Sequence, residues 1–322
     1  MKELSLTTAL CVIALLTACS SSATPQKGNS TSKVPGAQKV TDKRSQDLQN
    51  DELRSQVEQI TSAARGRVGV AALVLESGES VSLNPDEHFP MQSVYKLPIA
   101  MALLHQVNAG RIKLEQRIGV EKSDYVGRAQ HSPLRDNNPN GVELSIGELL
   151  RFTISESDGS ASDAVLSLAG GPEAVQAFLN ELRVNDIVIQ NTEKEIGQDH
   201  ATQYRNWASP AASIALLRAL QEHKGLSEQS QALLLKLMTD TPTGQKRLRG
   251  LLPASAVVAH KTGTSGTVDG ITAATNDIGL VTFPDGRHLA IAVFVSDSPA
   301  DEAVREGVIA KVARAVWDKW SK

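Results

Sequence analysis

Cysteine is nearly missing from this 322-residue chain: only Cys11 and Cys19 occur, both close to the N-terminus, so the domain that follows folds without a disulfide. Aromatic residues make up 3% of the sequence, which leaves Leu, Ile, Val and Ala to build the core. A basic excess is also lacking. The formal net charge is -3 and no long basic run occurs, so nucleic acid is not an expected partner. The seven histidines are scattered, with no ligand pair at short spacing, and neither a metal nor any other cofactor is expected. No internal repeat is present. The apolar run near the N-terminus is too short to span a bilayer.

What is present is a chain with 41% hydrophobic and 21% charged residues, long enough for one large domain or two moderate ones. Its first residues read as a targeting segment, with Lys2, the apolar run LTTALCVIALLTA and small residues leading to Cys19. Leu16-Thr17-Ala18-Cys19 resembles a bacterial lipoprotein processing signal, in which Cys19 is lipidated and becomes the first mature residue. Ordinary secretory cleavage near Ala18, giving a soluble periplasmic protein, is the alternative. Ser20 and Ser21 after Cys19 resemble outer-membrane sorting. Residues 20 to 46 are rich in Ser, Thr, Gly, Pro and Lys and offer little to bury, so they read as a flexible tether. The expected organisation is a signal peptide at 1–18, a lipidated Cys19 and tether at 19–46, and a folded domain at 47–322.

Within that domain, Leu48, Leu53, Val57 and Ile60 recur at helical spacing, and GRVGVAALVLESGESVSLNP reads as a hairpin. Residues 97 to 185 look helical, including one continuous pattern over LSIGELLRFTISESDGSASDAVLSLAG. Residues 186 to 207 form a long polar stretch without persistent periodicity, and a structureless loop of that length in a compact domain is usually functional. Two helical patterns follow, then three strand-like runs and a terminal helix from Asp301 to Trp320. The expected fold is therefore mixed, α/β in the broad sense and α+β in detail. One antiparallel sheet comes from the two chain ends, with flanking helices and a mostly helical region of about 92–240 inserted between them.

Ser93 and Lys96 stand three apart at the start of the apolar helix carrying LPIAMALLHQV, a spacing that puts both side chains on one face. A serine hydroxyl is a poor nucleophile until a base takes its proton, and a lysine amine can do so once neighbouring charge or desolvation lowers its pKa. Ser-x-x-Lys alone occurs by chance in many proteins. Here it is followed in order by Ser157-Asp158-Gly159 and Lys261-Thr262-Gly263. Those three motifs in that order, behind an export signal and within that order of helices and strands, resemble the class A serine beta-lactamases over residues 47 to 321.

The resemblance implies a role for each matching residue. Ser93 forms an acyl-enzyme with the lactam carbonyl, and the backbone N–H groups of Ser93 and Thr264 form the oxyanion hole. Lys96 is a candidate base for acylation, in competition with a loop glutamate acting through water. Ser157 passes a proton to the departing nitrogen, and Asp158 is structural. Lys261 supplies positive charge near Ser157 and the substrate carboxylate; Thr262, Gly263, Thr264 and Ser265 line the substrate strand. Arg247 resembles the family's alternative arginine for that carboxylate, against the bland reading of a solvated charge among Lys246 and Arg249. Glu193 activates the water that releases the acyl group, with Glu195 as the competing assignment. Thr192-Glu193, Asp163, and Thr264-Ser265-Gly266 are similar to the longer-loop branch that handles extended-spectrum cephalosporins, and Asp163 is expected to hold the base of the loop.

Two positions depart from the family pattern. Gly159 stands where Asn usually completes the second motif, and Gly197 stands where Asn usually helps hold the deacylating water. Water is expected to fill each gap, leaving an active enzyme with altered efficiency. The implied partner is a small beta-lactam, membrane association comes only through the N-terminal lipid, and a monomer is expected. A penicillin-binding peptidase acting on D-Ala-D-Ala peptides and a weakly turning-over, beta-lactam-sequestering lipoprotein are the rival readings.

Overall fold

The computed structural model describes residues 51–321, so the expected signal peptide, Cys19 and the tether lie outside the described residues. Residues 51–61 form a helix, α1, and β1 (Arg67–Val74) and β2 (Ser80–Leu83) form the expected antiparallel hairpin. The inserted region carries α2 (Lys96–Asn108), α3 (Ile146–Ile154), α4 (Gly159–Leu168), α5 (Gly171–Glu181), α6 (Pro210–Gln221) and α7 (Glu228–Thr239). The chain then returns as β3 (Val257–Thr264), β4 (Ile271–Thr282) and β5 (His288–Ser298), and ends in α8 (Glu302–Trp320). These strands pair antiparallel in the order β2-β1-β5-β4-β3, and the short strand Thr267–Val268 joins the edge of β4. N- and C-terminal segments thus make one sheet, and the mixed architecture read from the sequence is the observed one.

Period-two alternation explains why the strands are apolar almost throughout, because both faces of the sheet are covered. Val68, Val70, Ala72 and Val74 of β1 and Leu289, Ile291, Val293 and Val295 of β5 face a cluster completed by Leu53 and Val57 of α1 and Val308, Val312 and Val316 of α8. Ala71, Ala290, Ala292 and Phe294 face the inserted helices instead. A one-residue slip of β5 would exchange these two sets, so the packing fixes the register. Within the insertion, α2 is buried from Lys96 through Leu104, which is why its sequence is apolar on every side. Pro98 sits in its first turn, where no intrahelical N–H is needed.

Three details differ from the sequence expectation. The continuous helical pattern before residue 170 is two helices broken at Ser155–Asp158, with Ser157 at φ 56° and Asp158 capping α4 through the Ala161 N–H. Each half buries its own apolar face, so the periodicity survives the break and conceals it. The stretch 97–185 also contains a two-stranded ribbon, Arg117–Val120 with Val142–Ser145. Finally, the long polar segment is not structureless. Ile187–Val188 and Trp207–Ala208 at its ends pair with each other, and Trp207–Ala208 also pairs with Phe89–Pro90, just before the Ser93 turn. Strands of two residues are too short to leave a period in the sequence.

Candidate active site

Ser93 lies in the 3-10 turn Gln92–Tyr95 that leads directly into α2, with Lys96 as the first α-helical residue. The turn is fixed from two sides. Gln92 Nε2 donates to Gln203 Oε1 at 2.7 Å, and Asn276 Nδ2 on β4 donates to Pro90 O at 2.8 Å and Met91 O at 3.2 Å. Strand β3 runs beside it so closely that a Cβ on Gly263 would overlap Met91 O, with Gln92 Cβ and Val94 Cγ2 both at 3.2 Å. The glycine of Lys-Thr-Gly is therefore what lets β3 reach the Ser93 turn.

Lys96 is 1% exposed, and a buried ammonium is costly unless its protons are satisfied. Its Nζ donates to the main-chain oxygen of Ser157 at 2.8 Å and lies 3.6 Å from Glu193 Oε2. Among the described residues no hydrogen bond joins Ser93 Oγ to this amine, which is committed to Ser157 and Glu193. The helix break makes this geometry available: with φ 56° at Ser157, its carbonyl leaves the helical ladder and meets Lys96. On its other side, Ser157 Oγ accepts a 2.9 Å bond from Lys261 Nζ, which also donates to Thr262 O at 3.1 Å. Lys261 is 1% exposed. Burial and then the nearby Lys96 charge push its pKa well below the usual lysine value, against the pull of Asp277 and Glu193. Two lysines thus converge on one serine, one at its carbonyl and one at its hydroxyl.

Asp158 faces away from this cluster. Its carboxylate accepts Leu134 N at 2.7 Å, Ala161 N at 2.8 Å and the Ser132 hydroxyl, all buried, so it ties the 132–134 segment to the start of α4. Glu193 begins the four-residue helix Glu193–Ile196. Tyr95 OH donates to Glu193 Oε2 at 2.8 Å, and burial together with the Glu193 charge raises the tyrosine pKa well above its ordinary value. Glu195 closes the capping box of that helix with Thr192 N at 2.9 Å and Asn191 Nδ2 at 3.3 Å. Of the two loop glutamates, only Glu193 approaches Lys96. Asp163 on α4 accepts Glu193 N at 2.6 Å and Lys194 N at 2.9 Å. Desolvation lifts the Asp163 pKa to about 6, even though those two N–H bonds pull it down.

The two family departures are not gaps, contrary to the expectation that water fills them. A Cβ at Gly159 would stand 3.0 Å from Glu193 Cγ and 3.2 Å from both His131 O and Val126 Cγ2, so the stem of Glu193 packs where a side chain would begin. At Gly197 the space is taken by the amide of Gln130, which a Cβ would overlap.

Arg247 is 4% exposed and spans four acceptors: Gly263 O at 3.2 Å, Asn276 O at 3.0 Å, Thr264 Oγ1 at 2.8 Å and Glu306 Oε1 at 3.1 Å. It is thus a buried guanidinium reaching under β3, not a solvated neighbour of Lys246. Thr262 Oγ1 bonds Thr243 Oγ1 at 2.9 Å. The Ser265 hydroxyl donates to Gly266 O at 2.9 Å and accepts from Ala274 N at 2.9 Å, which shapes the end of β3. Sequence reasoning did not single out Tyr95, Gln130, Asn276 or Glu306. Tyr95 lies inside Ser93-x-Tyr95-Lys96 and could have been found as the one polar-tipped aromatic of the motif; the others are far away in sequence and carry no local signal.

Comparison with known proteins bears on the whole described domain. The family model described as "Beta-lactamase enzyme family" matches residues 52–320. Beta-lactamase VEB-1 of Pseudomonas aeruginosa is 40% identical over 272 residues, covering 84% of this chain and 91% of that protein. Extended-spectrum beta-lactamase PER-1 of the same organism is 39% identical, with coverage of 82% and 86%. Among solved structures, a beta-lactamase from Chitinophaga pinensis superposes with a TM-score of 0.81 at 48% identity, covering 83% of this chain and 98% of that one. The TLA-1 extended spectrum beta-lactamase gives a TM-score of 0.82 at 43% identity, with coverage of 85% and 99%.

Proposed function

This chain belongs to the class A serine beta-lactamases, and we propose that it carries out their hydrolysis of the lactam ring with the residues assembled around Ser157 and Lys96. Ser93 Oγ attacks the lactam carbonyl carbon as its proton passes to the Lys96–Glu193 pair. Glu193 Oε2 lies 3.6 Å from Lys96 Nζ, so both groups stand where they can receive it. Negative charge on the carbonyl oxygen is met by the backbone N–H groups of Ser93 and Thr264. The ring C–N bond then breaks, and Ser157 Oγ gives its proton to the departing nitrogen. Lys261, bonded to that hydroxyl at 2.9 Å and made more acidic by burial, restores the proton. In the second half, Glu193 takes a proton from water, the hydroxide attacks the ester carbon, and Ser93 leaves with one proton from the pair while the other passes back to Lys261, so every group regains its starting state.

One observation carries this reading: Glu193 reaches the buried Lys96 amine that also grips Ser157, so the acylation and release groups share one proton network. The substrate carboxylate is bound by Lys261 and Thr264, the latter oriented by Arg247. Penicillins and cephalosporins are the substrates, and the likeness to VEB-1, PER-1 and TLA-1 supports extended-spectrum cephalosporins among them. Among the described residues no helix is long and apolar enough to cross a membrane, and tethering in the periplasm is assigned to a lipid on Cys19.

The test is hydrolysis of a chromogenic cephalosporin by the purified domain. Many turnovers per enzyme at a steady rate are expected. A burst of one equivalent followed by no further hydrolysis would support the sequestering reading, and release of D-Ala from a D-Ala-D-Ala peptide at a comparable rate would support the peptidase.

A further inference from the structure

We propose that Gln130 is a positioning residue for acyl-enzyme release, standing in from another part of the chain for the side chain that position 197 lacks. The proposal rests on the assignment of Glu193 as the base for release. Gly197 has φ -76° and ψ -6°, backbone that any residue adopts, so conformation does not call for glycine there. Space does, because a Cβ would fall on Cδ, Oε1 and Nε2 of Gln130. That amide is held at both ends. Its oxygen accepts Gly127 N at 3.0 Å, and its nitrogen donates to Glu193 O. The turn behind it is closed by Gln130 N donating to Gly127 O at 3.0 Å, so the side chain projects from a short, self-bonded loop.

Glu193 is consequently clamped on both of its peptide groups. Asp163 takes its N–H at 2.6 Å from the α4 side, while Gln130 takes its C=O from the opposite side, alongside the helical Gly197 N at 3.1 Å. Neither contact touches the carboxylate that would activate water, which Tyr95 and Lys96 hold. The same loop also serves the other departure, since His131 O accepts Gly159 N at 2.9 Å. One loop, residues 127–131, thus braces the main chain at one glycine and fills the space beside the other. Positioning, not proton transfer, is the role this geometry gives Gln130, and a small displacement of a general base is enough to cost rate.

The test is a cycle of Gln130→Ala, Gly197→Asn and the double variant, with Glu193→Gln as control. Acylation and release are timed separately by stopped flow with a chromogenic cephalosporin and by mass spectrometry of the adduct. In Gln130→Ala, release slows about 10- to 100-fold while acylation changes by less than about threefold. Gly197→Asn alone also slows release, because its side chain collides with the Gln130 amide. In the double variant the Asn occupies the vacated space, and release returns to within about tenfold of the native rate, faster than in either single variant. Gln130→Glu keeps the size and the Gly127 bond but loses the donor, so it gives the same slowing should Gln130→Ala fold poorly. Unchanged release in Gln130→Ala and Gln130→Glu, equal slowing of both steps, or a double variant slower than both singles would overturn the proposal. If Glu193→Gln leaves release untouched, the assignment of Glu193 fails instead; if it blocks release while Gln130 variants do not, only the role of Gln130 fails.

Discussion

Ser93, Lys96, Ser157 and Lys261 stand on or beside elements that the core grips from several sides: α2 is buried from Lys96 through Leu104, and β3 is an edge strand pinned to the Ser93 turn across Gly263. Glu193 stands on a four-residue helix inside a polar segment, and side chains from three other places fix it: Asp163, Tyr95 and Gln130. The attack half of the site is thus positioned by packing as well as by the hydrogen bonds of Gln92, Asn276 and Lys261, and the release half mainly by individual hydrogen bonds, each of which one substitution can remove. Acylation should therefore be the robust step and release the tunable one.

The strongest way to break that contrast is Glu193→Gln, which removes the proposed base and keeps the shape. Turnover is expected to fall about 10³-fold while acylation slows far less, because Lys96 remains to take the Ser93 proton; an equal loss of both steps in single-turnover kinetics would count against the contrast. Next in size is Arg247→Ala, aimed at the packed half. It leaves Glu306, Thr264 and two carbonyls without their donor, and a loss of about 2–3 kcal/mol is expected because Glu306 keeps some solvent. KM for cephalosporins should rise about tenfold with a smaller change in kcat. Thermal unfolding identical to the parent would mean that the buried span contributes nothing.

Asp163→Asn probes the hydrogen-bonded half through pH. The Asp163 pKa is raised by burial from 3.8 to about 6, so between those values the folded protein holds a proton that the unfolded chain has lost. That contribution to stability is present at the acid end and is lost as pH rises through about 6. The melting temperature of the parent relative to Asp163→Asn should accordingly fall from pH 4.5 to pH 7 and then level; a constant difference would contradict the shift. The smallest effect is expected from Tyr95→Phe. Glu193 then keeps Lys96 but loses a 2.8 Å bond, a change of about 1 kcal/mol, read as about fivefold slower release with unaltered acylation.

The same division governs what was legible in the sequence. Ser-x-x-Lys, Ser-Asp-Gly and Lys-Thr-Gly are local, so residue type and spacing sufficed to nominate Ser93, Lys96, Ser157 and Lys261, and the period-two and helical patterns sufficed for the sheet and most helices. Between Glu193 and Glu195 the geometry favours Glu193, since the capping box engages Glu195 with Thr192 and only Glu193 lies near Lys96. The loop's supports were not legible. Gln130 lies 63 residues from Glu193 and bonds a main-chain oxygen, a contact for which side-chain identity leaves no pattern. Gly159 and Gly197 were visible as departures, but only three-dimensional packing tells a vacancy from a place already filled. The break at Ser157 was hidden for a related reason, because α3 and α4 each satisfy helical periodicity on their own.

The most direct measurement is a mass-spectrometric time course of Glu193→Gln mixed with a cephalosporin. A single adduct on Ser93, formed with Lys96 still present to take the serine proton and persisting long after the parent has turned over, is the predicted result. No adduct, an adduct on another residue, or turnover at the parent rate would contradict the division of the site into an attack half built on Ser93 and a release half built on Glu193.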